Sequence, residues 1–184
     1  SMLGVFIDFI KSTNKVNDIA TVNYVLASGE ALKAEQVNQF NDLIGEPNNS
    51  LLIDLYGPTE ASIEVIYYPC TADQTYDTIP IGRPIANIQA YIMNEDNNLM
   101  GIGVPGELCI GGVGVTKGYL NRPDLTDEKF IDNPFGEGKL YRTGDLAKWS
   151  TEGNVEYLGR IDEQVKIRGY RIELGEIESL LRQI

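Results

Sequence analysis

A hydroxyl and a carboxylate stand side by side at Thr59-Glu60, directly after a Tyr56-Gly57-Pro58 turn. A threonine hydroxyl can hold a phosphate oxygen, and a glutamate offers the hard oxygen that Mg²⁺ prefers. Glycine frees the backbone and proline fixes φ, so the turn is stiff and keeps the two groups together. The apolar run Leu51-Leu52-Ile53-Asp54-Leu55 delivers the chain into the turn as a strand. The C-terminal ends of such strands are where open α/β sheets bind ligands. On these residues alone, a surface turn after a buried strand is an equal reading. A second glycine-rich run, Gly111-Gly112-Val113-Gly114, fits neither GxGxxG nor GxxxxGK[ST] and reads as a close-packed turn.

The elements that must position these groups alternate in type. Tyr24–Ala27 is a short apolar strand ending in Ser28-Gly29-Glu30. Residues 33–44 carry Ala34, Val37, Phe40, Leu43 and Ile44 at helical spacing, and strand 51–55 follows. This order predicts a βαβ unit with parallel strands, so Ser28-Gly29-Glu30 and Tyr56-Gly57-Pro58 share one sheet edge. Residues 1–22 read as a lead-in segment. From Ile63 the pattern changes to short strands, Ile63–Tyr68, Ile88–Met93 and Glu107–Ile110, separated by Gly/Pro/Asn turns. That pattern predicts a small antiparallel sheet or barrel. Residues 123–130 form a short helix, and 138–149 pairs with 154–158. A strand at 164–168 precedes a helix that begins near Leu174. The fold class is therefore mixed α/β.

Composition excludes several functions. Apolar residues make up 42% of the chain and support a core, yet no apolar run is long enough to span a membrane. No signal-peptide pattern opens the sequence. Two distant cysteines, Cys70 and Cys109, argue against a disulfide framework and suit a cytoplasmic setting. The absence of histidine removes Ser-His-Asp hydrolysis and most catalytic zinc sites. A net charge of −12 argues against nucleic-acid or anionic-membrane partners. The negative excess lies in residues 1–138, whereas 139–184 balance and carry Arg142, Lys148, Arg160, Lys166, Arg168 and Arg171. An anionic substrate would meet that end.

Four stretches then accumulate: Asp54 to Glu60, Gly106-Glu107-Leu108-Cys109-Ile110, Tyr141-Arg142-Thr143-Gly144-Asp145-Leu146, and the long run from Gly159 to Glu178. In this order and spacing the chain resembles the adenylate-forming superfamily, and within it the amino-acid adenylation domain of nonribosomal peptide synthetases. The resemblance runs from about Tyr24 to the end. It implies that residues 1–161 are the C-terminal part of a large subdomain, an αβ sheet portion to residue 62 and a barrel-like portion after it. Residues 162–184 would be the hinge, at Asp162, and the start of a small C-terminal subdomain. The implied reaction uses ATP and Mg²⁺ to make an aminoacyl-adenylate, then passes it to the phosphopantetheine thiol of a peptidyl carrier protein. Neighbouring synthetase domains would be further partners.

The resemblance also assigns residues. Tyr56 would stack on adenine, and Asp54, where the family usually has Asn, would accept from its amino group. The Gly29-Glu30-Ala31 backbone would line the base. Thr59 would hold the α-phosphate and Glu60 the Mg²⁺. Asp145 would take the ribose hydroxyls, Tyr157 would pack near the nucleotide, and Arg160 would reach ribose or phosphate. Lys166 would face the site in the thiolation pose. Leu26, Ser28, Leu55, Ile63 and Glu64 would form the side-chain pocket, in a pattern like that of serine-activating domains. Glu64 stands where Asp is usual, a change that would shrink the pocket or favour a basic substrate such as ornithine. The family's Ser/Thr/Gly-Lys phosphate loop, the aspartate that anchors the α-amino group, and the C-terminal catalytic lysine do not occur in these 184 residues, so the chain alone is expected not to adenylate. An acyl-CoA or aryl-acid ligase of the same superfamily and a non-catalytic interaction unit are the alternatives.

Overall fold

The computed structural model describes residues 2–161, 165–167, 170–172 and 180–181. Helix α1 (Met2–Thr13) opens the chain, where the sequence suggested only a lead-in. Leu3, Ile7 and Ile10 recur at helical spacing and are buried, but Val5 and Phe9 on the opposite face are exposed and blur the amphipathic pattern. Strand β1 (Tyr24–Ser28) and helix α2 (Ala34–Phe40) follow. α2 continues through a π-helical turn, Asn41–Gly45, into the single turn α3 (Glu46–Asn48), which Asn49 ends in the left-handed conformation. Strand β2 (Leu51–Tyr56) then runs parallel to β1.

The expected βαβ unit is therefore present. Val37, Phe40 and Ile44 on the helix are fully buried against Leu52 of β2, and α1 packs into the same cluster. Strand β3 (Ile66–Cys70) pairs antiparallel with β2, and the short β4 (Arg83–Pro84) pairs with β3, giving the order β1-β2-β3-β4. β3 starts three residues later than its β-branched sequence suggested. Ser62 and Ile63 take φ of +67° and +77°, a left-handed kink that finishes the turn before pairing begins.

The second sheet is antiparallel. It comprises β5 (Ile88–Met93), β6 (Gly106–Gly112), β7 (Phe130–Asp132), β8 (Lys139–Trp149) and β9 (Val155–Arg160), with α4 (Pro123–Lys129) leading into β7. The order is β5-β6-β8-β7, and β9 pairs with the second half of β8. Gly82 and Val155 exchange two backbone hydrogen bonds, at 3.2 and 2.7 Å, which joins β9 to the loop before β4. The two sheets thus meet edge to edge. Strand β10 (Val165–Ile167) pairs antiparallel with β11 (Tyr170–Ile172).

The turn after β2 lies at the seam. Ala61, Val65 and Ile66 are buried in the core of the second sheet with Ile92, Leu108, Ile110 and Val155, while Leu52 belongs to the helix-backed core. The glycine run behaves as a packing turn. A Cβ on Gly112 would lie 2.2 Å from the Asn87 carbonyl oxygen, and one on Gly114 would lie 3.0 Å from the Ala61 carbonyl oxygen.

Candidate functional site

The strand register sorts the side chains of the first sheet onto two faces. Val25, Ala27, Leu52, Asp54 and Tyr56 share the face toward α2 and the second sheet. Tyr24, Leu26, Ser28, Leu55 and Tyr67 share the other face, where Tyr24 and Leu26 are exposed. At the carboxyl ends of β1 and β2 a cavity of about 560 Å³ opens between the sheets. It is lined by Gly29, Glu30, Ala31, Asp54, Leu55, Tyr56, Gly57, Ile81, Asp145, Tyr157 and Arg160.

The turn that delivers Tyr56 is tight for a steric reason. Gly57 lies where a Cβ would meet the Ile63 carbonyl oxygen at 2.2 Å, so glycine provides room here and not a left-handed φ. Pro58 is extended, with φ −81° and ψ 154°, and its carbonyl accepts from Ala61 and Ile63 N–H groups at 3.0 and 3.1 Å. Val65 N–H then closes the loop onto Tyr56 O at 2.9 Å.

Asp145 is placed by an irregularity in β8. Between the pairs Cys109–Arg142 and Glu107–Leu146, β8 has residues 143–145 where β6 has only Leu108. This bulge takes backbone groups out of the ladder and re-aims a side chain. Thr143 restores two of them: its Oγ1 donates to Leu108 O at 2.7 Å and accepts from Asp145 N–H at 3.0 Å. Arg160, from β9, donates through Nη1 to Thr143 O at 2.8 Å and to Asp145 Oδ1 at 3.0 Å. The Tyr56 hydroxyl donates to Asp145 Oδ2. A carboxylate has about four acceptor directions, and Tyr56 and Arg160 each use one.

Burial shapes the ionisation of two lining groups. Asp54 is pushed up to about 7 by burial first and by the Glu64 charge, while a hydrogen bond from the Leu55 backbone opposes them. The Tyr56 phenol is held well above its ordinary value by burial and then by the adjacent Asp145 charge, so it remains a neutral donor.

The cavity gathers Gly29, Glu30, Ala31, Asp54, Tyr56, Asp145, Tyr157 and Arg160, all of them sequence candidates, and adds Leu55 from the proposed side-chain pocket. Ile81 was missed, because an isoleucine in the Pro/Gly-interrupted run Ile79-Pro80-Ile81-Gly82 carries no local signal for a site. Thr59 is exposed and does not line the cavity. Glu60 is buried, and its Oε1 accepts from the Tyr119 hydroxyl at 2.7 Å. Leu26 and Ser28 lie on the opposite sheet face, and Ile63 is 63% exposed. Glu64 lies just before β3; its Oε2 is buried with no hydrogen-bond partner among the described residues. Lys166 sits in β10 opposite Arg171, and Asp162 falls outside the described residues. Among the described residues no group of three metal-ligating side chains occurs, and no helix is long and apolar enough to cross a membrane.

Comparison with known proteins decides the family. The profile of the AMP-binding enzyme family matches residues 4–120. The chain belongs to the AMP-binding enzymes. Among curated relatives, the chain is 53% identical over 165 residues to tyrocidine synthase 1 of Brevibacillus parabrevis, a match that covers 89% of the chain and 15% of that protein. Among solved structures, the Vibrio cholerae adenylation domain AlmE in complex with glycyl-adenosine-5′-phosphate superposes with a TM-score of 0.78 at 34% identity, covering 97% of this chain and 34% of that one. The fused adenylation–PCP di-domain NpsA-ThdA of Klebsiella oxytoca gives a TM-score of 0.80 at 29% identity, covering 98% and 33%. The chain thus spans about a third of the adenylation structures that it matches, and its mixed α/β fold is theirs.

Proposed function

We propose that the chain forms the adenosine-binding half of an amino-acid adenylation site and works within a nonribosomal peptide synthetase. The observation that carries this reading is the cavity at the sheet edge, where Tyr56, Asp145 and Arg160 form one hydrogen-bonded unit. Tyr56 stacks on adenine and Asp54 accepts from its amino group, while the backbone at Gly29, Glu30 and Ala31 closes the other side. Asp145 accepts from the ribose hydroxyls, and Arg160 neutralises it and reaches toward phosphate. The amino-acid carboxylate attacks the α-phosphorus of ATP, the bond to the β-phosphate bridging oxygen breaks, and pyrophosphate leaves. Thr59 holds the α-phosphate.

Mg²⁺ fits the donor set here in one respect. Mg²⁺ is commonly held by one or two carboxylates together with substrate phosphates and waters, not by a protein cage. Glu60 is the carboxylate of the turn, and Tyr119 fixes its orientation from the other side. When bound, the ion neutralises charge on the phosphates.

The aminoacyl-adenylate is then handed to the phosphopantetheine thiol of a carrier protein, with rotation of the C-terminal segment about Asp162 bringing Lys166 to the site. The likeness to AlmE, solved with a glycyl-adenylate, supports adenylate formation, and the likeness to NpsA-ThdA, an adenylation–PCP fusion, supports hand-off to a carrier protein. Serine is the proposed substrate. Leu26, Ser28 and Leu55 lie on one sheet face, and the buried Glu64 Oε2 suits a substrate hydroxyl or amine as donor. The test is amino-acid-dependent ATP–pyrophosphate exchange by a protein that carries this chain within a full-length adenylation domain. Exchange with serine above all other amino acids supports the proposal. Strong exchange with ornithine but not serine overturns the substrate. Activity with aryl or fatty acids alone overturns amino-acid activation. The 184-residue chain assayed alone is expected to show no exchange.

A further inference from the structure

The bulge that carries Asp145 is held on its carbonyl side by β9 and the residue after it: Gly144 O accepts from Ile161 N–H at 2.8 Å, and Asp145 pairs with Arg160. Gly144, at φ +71°, turns its N–H out of the β6–β8 ladder. That N–H donates to Glu107 Oε1 at 2.9 Å. The other oxygen of the same carboxylate accepts from Arg142, at 2.8 Å from Nε and 2.6 Å from Nη2. Both side chains are largely buried, Glu107 at 11% exposure and Arg142 at 26%. Glu107 is thus clamped between its neighbour strand's arginine and the backbone of the bulge. It sits at the residue before the register shift in β6, and Arg142 at the residue before it in β8. A carboxylate fixed by a guanidinium fork is a rigid acceptor, and a backbone N–H left in a bulge is stable only with such a partner.

We propose that Glu107 is a positioning residue for the nucleotide site: held by Arg142, it fixes the Gly144 bulge and thereby aims Asp145 at the ribose hydroxyls. This rests on the reading of Asp145 given above. Glu107 touches no substrate, and its effect should reach the ligand only through the Asp145 contact. Thr143 braces the bulge from one end, Ile161 holds the Gly144 carbonyl and, among the described residues, Glu107 alone holds the Gly144 N–H, so loss of Glu107 frees that N–H and shifts Asp145 while the adenine side of the cavity, built by β1 and β2, stays in place.

The test compares AMP with 2′,3′-dideoxy-AMP by isothermal titration calorimetry on the 184-residue chain, in the unaltered protein, D145A, E107A and E107Q. The unaltered chain is expected to prefer AMP. Loss of a hydrogen bond to a charged group is worth about tenfold in affinity, so E107A is expected to lower AMP affinity by about that factor and leave dideoxy-AMP unchanged. E107Q keeps an acceptor for Gly144 N–H but loses the charge that holds Arg142. It is expected to fall between, and it serves if E107A does not fold. Equal binding of the two nucleotides by the unaltered chain, or a preference that survives D145A, overturns the reading of Asp145. A preference lost in D145A but kept in the Glu107 variants overturns the role of Glu107. Parallel weakening of both nucleotides in those variants also overturns it, since that is a general structural effect.

Discussion

The Tyr56 hydroxyl donates to Asp145 Oδ2, tying the end of a parallel strand to a bulge 89 residues further along the chain. The bond crosses the seam between the two sheets, and both residues line the cavity. A hydrogen bond to a buried charged group contributes about 1.5–3 kcal/mol. Y56F is expected to lower unfolding stability in urea by about that amount. A double-mutant cycle with D145N is expected to give a coupling of roughly 1–2 kcal/mol. Additive effects of the two substitutions would show that the bond does not join the sheets.

Asp54 makes stability depend on pH in an unusual direction. Its carboxyl is raised from an ordinary value of 3.8 to about 7 in the folded chain, mainly by burial. Between those values the folded state binds more protons than the unfolded state, so stability falls as pH rises and the loss is complete above about 7. At ~1.36 kcal/mol per pH unit the effect has a ceiling of ~4 kcal/mol. D54N is expected to change little at pH 4 and to stabilise the chain at pH 8, measured by urea unfolding at each pH. A D54N gain that is the same at both pH values would contradict the account.

Gly57 and Gly29 are both at the cavity mouth but for different reasons. A Cβ at Gly57 would strike the Ile63 carbonyl oxygen at 2.2 Å, and backbone must move to admit it. Gly29 has open space around it and a φ of +85°. G29A is expected to cost about 1–2 kcal/mol through the left-handed backbone, and G57A more than ~3 kcal/mol through displacement of the turn. Urea midpoints would rank them, and a smaller loss for G57A would refute the steric role.

The βαβ unit was readable because Val37, Phe40 and Ile44 keep helical spacing between two short apolar strands, and the burial of all three follows from it. The cavity was readable through the motifs around Tyr56 and Asp145, which fall at the ends of β2 and within β8. Helix α1 was not, because exposed Val5 and Phe9 interrupt the polar face that Asp8, Lys11 and Ser12 would otherwise mark. The late start of β3 was not, because Ile63 has strand propensity yet is held left-handed by the turn. Neither the bulge at Thr143-Gly144-Asp145 nor the seating of Glu60 against Tyr119 has a local signal, since both arise from pairing between distant segments.

Both cysteines are buried, and their thiols are pushed up to about 12. For Cys70 burial is followed by the charge of Asp54, and for Cys109 by that of Glu107. The thiolate is the reactive form. Neither cysteine is expected to react with a disulfide reagent such as dithionitrobenzoate at pH 8 in the folded chain, and both should react on unfolding in guanidinium. Rapid labelling of the folded chain would contradict the packing around Leu52 or Met93.

Calorimetric titration of AMP into the chain and into its D145A variant tests the central claim most directly, since both the cavity and the ribose contact are at stake. The account predicts saturable one-to-one binding that D145A abolishes or weakens at least tenfold. No saturable binding by the unaltered chain, or binding that D145A leaves unchanged, would contradict it.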